Sequence, residues 1–148
     1  MTDASDMIKL YSTRILELAA NIPNTDRLAE SQATEMKRSP LCGSTVTVDV
    51  NVKDGLVSEY GQDVKACALG QASASVLGAG VVGLSLETIR KGRYELSAIL
   101  KANGPVPEAP FDGLAVLEPA KAYKNRHASI LLAFDATVQA LENIAEDA

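Results

Sequence analysis

The chain has 148 residues and a mass of 15.6 kDa, a length that fits one domain, residues 1–148, with a buried core. Its apolar fraction of 47% excludes a disordered polymer, and its net charge of −5 without a basic cluster argues against nucleic acid or an anionic membrane as the main partner. No run approaches the roughly 18 apolar residues of a membrane span, and "MTDASDMIKLYS" lacks the regions of a signal peptide, so the expected location is the cytoplasm.

Taken in chain order, residues 3–22 predict an amphipathic helix, with Ile8, Tyr11, Ile15, Leu18 and Ile22 at helical spacing and Pro23 as the stop. "NTDRLAESQ" reads as a polar loop and "ATEMKRS" as a short edge strand. From Thr45 the alternation is strict. Val46, Val48, Val50 and Val52 face one way, and Thr45, Thr47, Asp49, Asn51 and Lys53 the other, as in a half-buried strand. Asp54-Gly55 marks a hairpin. A plain two-residue turn would set Val50 opposite Glu59 and Val46 opposite Asp63. A shift of one residue, through a three-residue loop, sets Tyr60 opposite Val50 and Val64 opposite Val46. The shifted register is expected, because a core cannot hold unpaired carboxylates.

"CALGQASASVLGAGVVG" predicts a close-packed helix with a thin apolar face and Cys67 at its N-terminus. "GAGVVG" follows no strand and gives no support to dinucleotide binding. "SLETIRKGRYELSAILKANG" predicts one or two helices capped by Ser85 and stopped at Asn103-Gly104-Pro105. "PVPEAP" is a linker, and "FDGLAVLEPAKAYK" a short helix followed by an irregular piece around Pro119. From Asn125 onward, Leu131, Phe134, Val138, Leu141 and Ala145 form a last stripe. The sum is an α+β domain, a small antiparallel sheet with helices on one face.

The only cysteines, Cys42 and Cys67, sit at opposite ends of the hairpin, each at an element boundary. In a reducing compartment a structural disulfide is disfavoured, which leaves an idle buried pair or a functional one. A helix N-terminus favours the Cys67 thiolate, and Lys65 adds positive charge. Gly43 lets the chain turn at Cys42, and the hairpin returns both thiols to one end of the sheet. Two thiolates are half of a tetrahedral soft-metal site. His127 opens the last helix in "NRHASILL", from where it could reach back to that end.

"SPLCGSTVTVDVNVKDG" with "VKACALGQASASVL" resembles the U-type iron–sulfur cluster assembly scaffolds, the NifU N-terminal, IscU and SufU group. That family carries one cysteine in a Cys-Gly-Asp turn and a second some two dozen residues later, before an Ala/Ser-rich helix. Here 24 residues separate Cys42 from Cys67, and the resemblance runs from "MIKLYSTRILELAANIPN" to "NRHASILLAFDA". It implies a three-stranded sheet with packed helices. Two departures stand out: the family's Asp after Cys-Gly is Ser44, and its third cysteine, in "HCS", is placed at Ala128 beside a retained His127. The 60 residues between Cys67 and Ala128 are similar to the insertion of the Suf branch, and the Leu-Pro-Pro-Val-Lys chaperone motif of the Isc branch is absent.

The resemblance implies a scaffold or carrier in iron–sulfur cluster assembly. It would take sulfur from a cysteine desulfurase, hold iron or a nascent Fe–S cluster at Cys42, Cys67 and His127, and pass it to recipient apo-proteins. Cys42 would be the sulfur acceptor, Cys67 the more fixed ligand and His127 the third, with Asp63 or Asp112 as candidates to complete the shell. Such a protein is not an enzyme in the ordinary sense, although sulfurtransferase-like activity belongs to one branch. A second reading is a zinc-assisted sulfur acceptor of the Suf type, and a third is a degenerate member that binds a partner without metal.

Overall fold

The computed structural model describes residues 12–40 and 43–147. The first part of the predicted N-terminal helix therefore lies outside the described residues, and α1 is described over Thr13–Ala20. Ser12 caps it by accepting from the Ile15 N–H, and Ile15 is fully buried. Three strands follow, β1 (Ala33–Arg38), β2 (Thr45–Lys53) and β3 (Leu56–Lys65), forming one antiparallel sheet in the order β1-β2-β3. Then come α2 (Ala68–Gly80), α3 (Leu86–Ala102), a 3-10 stretch over Asp112–Ala122 that contains Pro119, and the long helix α4 (His127–Asp147). The α+β expectation holds, with one helix over the "SLET" segment rather than two. No helix among the described residues is long and apolar enough to cross a membrane.

The core lies between the valine face of the sheet and the helices. Val46, Val48 and Val50 are buried to within 1% of complete, and α4 packs across β1 and β2. Phe134 of α4 meets Phe111 edge-on, ring centroids 5.3 Å apart. Helix α2 is buried along almost its whole length, from Leu69 to Gly78, rather than along a thin face. Its Ala, Gly and Ser side chains are small enough to let neighbours approach from several sides.

The hairpin register is the expected one, Val50 opposite Tyr60 and Val46 opposite Val64, but the route differs. The turn has two residues, Asp54 and Gly55, both at positive φ (55° and 78°), and a bulge beside Asn51 and Val52 supplies the shift. The bulge leaves Ser58 without a partner on β2, so the acids of β3 stay off the valine face.

Part of the other face of the sheet is also covered, around Asp49. The loop after α1, expected to be merely polar, straps over it, and Asp49 is only 1% exposed beneath. Its carboxylate accepts from Arg27 Nε at 2.5 Å, the Leu28 N–H at 3.1 Å and the Thr34 hydroxyl at 2.6 Å. Burial alone would push that carboxyl up, but these partners outweigh it and hold it below the ordinary carboxylate range. Gly61, opposite Asp49, makes the close approach feasible: a Cβ there would lie 2.6 Å from the Asp26 carbonyl oxygen. The strap is anchored further by Asn24 donating to the Gly78 carbonyl and accepting at its own carbonyl from the Gln62 N–H, both at 2.8 Å.

Candidate functional site

Cys67 is the N-cap residue of α2, the point where β3 ends and the chain turns into the buried helix. Its side chain is partly exposed and lines an open cavity of about 360 Å³. Gly43, Ser44, Lys65, Arg126 and Asn125 form the rest of that cavity with Ala66. Burial pushes the Cys67 thiol up, but this is more than offset and the thiol lies below its ordinary value. The backbone N–H groups of Gly70 and Leu69, the Ser129 hydroxyl and the charge on Arg126 all favour the thiolate.

A short polar chain ties three elements together here. The Ser129 hydroxyl, on α4, donates to Ser44 Oγ at 3.0 Å and lies 3.7 Å from Cys67 Sγ. Ser44 is buried at the foot of β2, and Ser129 is buried where α4 crosses α2. Gly70 sets how close those helices come: a Cβ at that position would sit 2.9 Å from Ser129 Oγ. Residues 41 and 42 lie outside the described residues, so the side chain of Cys42 does too. The loop that carries it is closed on both sides, the Ser39 N–H donating to the Ser44 carbonyl at 2.8 Å and the Gly43 N–H to the Ser39 carbonyl at 2.9 Å. Cys42 is thus bonded directly to Gly43, which lines the Cys67 cavity.

The structure does not bring His127 to Cys67. The ring is 6% exposed and its Nε2–H donates to the Ala120 carbonyl at 3.1 Å. It lines a separate cavity, and Ala128, expected to point at the cysteines, lines that cavity as well. The α4 side chain that faces Cys67 is Ser129, one residue further on. The signal was in the sequence: on a helix, Arg126 and Ser129 are three apart and share a flank. Asp63 is half-exposed on β3 and lies 3.8 Å from Lys65 Nζ, while Asp112 lines a third cavity with Arg14 and Glu17. Among the described residues no group of three or more His, Cys, Asp and Glu side chains could hold a metal ion.

Residues 10–129 match the family model described as the NifU-like N terminal domain. The iron–sulfur cluster assembly scaffold protein IscU of Thermotoga maritima is 24% identical over 135 residues, covering 91% of this chain and 94% of that protein. The crystal structure of a nitrogen-fixing NifU-like protein (N-terminal) from Brucella abortus superposes with a TM-score of 0.93 at 44% identity, covering 97% and 99% of the two chains. A protein from Fervidobacterium islandicum, named as a candidate cluster assembly scaffold for the SUF system, superposes with a TM-score of 0.81. It is 17% identical, with 90% and 98% covered, and speaks to the fold alone.

Proposed function

The chain belongs to the NifU-like N terminal domain family, and from that premise we propose that it is an iron–sulfur cluster assembly scaffold or carrier. The observation that carries the reading is Cys67: a thiol held below its ordinary pKa at a helix start, in an open cavity also lined by Gly43, the residue that follows Cys42 in the chain. A thiolate is both the nucleophile for sulfur exchange and the ligand for iron. The cavity is cationic on two sides, from Lys65 and Arg126, which suits an anionic thiolate-bound cargo.

The roles divide by rigidity. Cys67 is locked at the junction of β3 and α2 and serves as the fixed ligand. Cys42, on its loop, accepts sulfur from a cysteine desulfurase and carries it to the cargo. We assign the third position facing the cargo to Ser129 rather than to His127, since the serine hydroxyl meets Cys67 and the imidazole is turned to Ala120. A neutral hydroxyl is a poorer ligand for iron than a thiolate, so the shell stays open and the cargo leaves readily. That favours delivery to recipient apo-proteins over storage.

The test is sulfur transfer. With a cysteine desulfurase and cysteine, sulfane sulfur should appear on the wild type and vanish in Cys42→Ser. Cys67→Ser should keep much of that transfer while losing iron and sulfide after anaerobic reconstitution. Transfer that persists in Cys42→Ser, or a Cys67→Ser protein that retains its cluster, would overturn the division of roles. A zinc-holding sulfur acceptor is the second reading, favoured by the same lowered thiol; it requires stoichiometric zinc, which chelator titration of the purified chain measures.

A further inference from the structure

The cavity behind the first turn of α4 has a chemistry of its own. It encloses about 750 Å³, a volume usual for a small-molecule site. Of its ten lining residues four are Lys or Arg, in a chain where such residues number 14 of 148. The concentration of positive charge therefore belongs to this place and runs against the net charge of −5. Four elements contribute: Arg93 and Lys101 from α3, Lys121 from the 3-10 stretch over Asp112–Ala122, Lys124 from a 3-10 turn over Lys124–Arg126, and His127 from the start of α4.

The charges are not used up internally. Asp135 is the only acid in the lining, and Arg93 Nε engages it at 2.5 Å. Lys121 has a loose, exposed partner in Glu118 at 3.6 Å. Lys101 and Lys124 have no ion-pair partner among the described residues. A concave wall focuses the field of such charges, and each ammonium presents donors to an oxyanion. The cations come from separate elements, α3 and the 3-10 segments that precede α4, so a ligand with more than one charged group would meet both sets. We propose that this cavity binds a small molecule carrying two or more oxyanion groups, of the phosphate or carboxylate class. The site is separate from Cys67 and does not rest on the scaffold reading.

Amide NMR titration of the full chain with pyrophosphate and with citrate tests it. Saturable shifts are expected in residues 93–103 and 121–131, weakening as salt is raised, and the tighter of the two probes identifies the class. Lys101→Gln with Lys124→Gln should weaken binding roughly fivefold or more, whereas Lys53→Gln with Lys91→Gln, an equal loss of charge elsewhere, should change it less than about twofold. Cys67→Ser should leave it unchanged, so the outcome is independent of cluster assembly. No saturable shift with either probe up to about 10 mM would overturn the proposal, since affinity would then be weaker than a millimolar site provides. Equal weakening by both lysine pairs would overturn it too. So would shifts from a glutamate-rich peptide alone, which would mark a protein contact in place of a small-ligand site.

Discussion

The two cavities flanking the start of α4 are built from adjacent residues and both carry cations, but only one of them holds a thiol. On one flank Arg126 and Ser129 face Cys67, around a nucleophilic sulfur. On the other, His127, Ala128, Leu131 and Asp135 face a wall of lysines, with no thiol among the lining residues. An α-helix turns about 100° per residue, so neighbours in sequence point into different places while residues three and four apart stay together. A misplacement of one position is enough to transfer a proposed ligand from one cavity to the other. That is why His127, two residues before Ser129, does not meet the thiol.

The largest expected effect lies outside both cavities, in the sheet against which α4 packs. Asp49→Ala should cost about 3 kcal/mol in urea unfolding, because Leu28, Thr34 and Arg27 lose a buried acceptor while Arg27 itself can turn to water. Both cavities should be lost in the same transition; separate transitions would show that they do not depend on one sheet. The same carboxylate predicts a pH trend. Its folded pKa is depressed, so its stabilisation is complete above the unfolded value of about 3.9 and falls away as pH drops through the folded one. Asp49→Asn should flatten the acid limb of a stability-against-pH curve.

Next in size is the contrast between positions 128 and 129. Ser129→Cys adds a soft anionic ligand opposite Cys67 and should tighten zinc at least on the order of tenfold, about 1.4 kcal/mol. Ala128→Cys should leave zinc affinity where it was. Chelator competition on both variants decides the matter, and equal gains would mean that α4 presents its first turn differently from the arrangement described.

A smaller effect is expected at His127. His127→Ala removes a buried ring and its bond to the Ala120 carbonyl, a loss of about 1 to 2 kcal/mol in thermal or denaturant unfolding. Zinc or iron retention at Cys67 should not change. Loss of metal at constant stability would restore the histidine as a ligand.

The smallest is a shift in reactivity. In a Cys42→Ser background only Cys67 reports, and Arg126→Gln should raise its pKa by removing a favourable charge. Alkylation near neutral pH should slow by a modest factor, while Lys121→Gln, across the helix, should leave the rate alone. A rate unmoved by Arg126→Gln would assign the thiolate's stabilisation to the helix start and Ser129 alone.

Much of this architecture was written in local patterns. The alternation from Thr45 to Lys53 specified β2 and its buried valines, and the cost of burying acids specified the hairpin register. Ser85 and Asn103 marked the ends of α3, because capping chemistry acts within one turn of chain. Cys67 at the head of α2 was legible for the same reason, as was the two-cysteine motif of the family. Other features depended on segments distant in sequence. Asp49 sits on the outward face of a strand by its alternation, yet the strap at residues 24–32 buries it there with an arginine 22 positions away. Position 129, rather than 127 or 128, meets the thiol because the approach of α2 and α4 at Gly70 sets the rotation of the last helix. Periodicity tells which residues of a helix share a face; only packing against a second element decides where that face points.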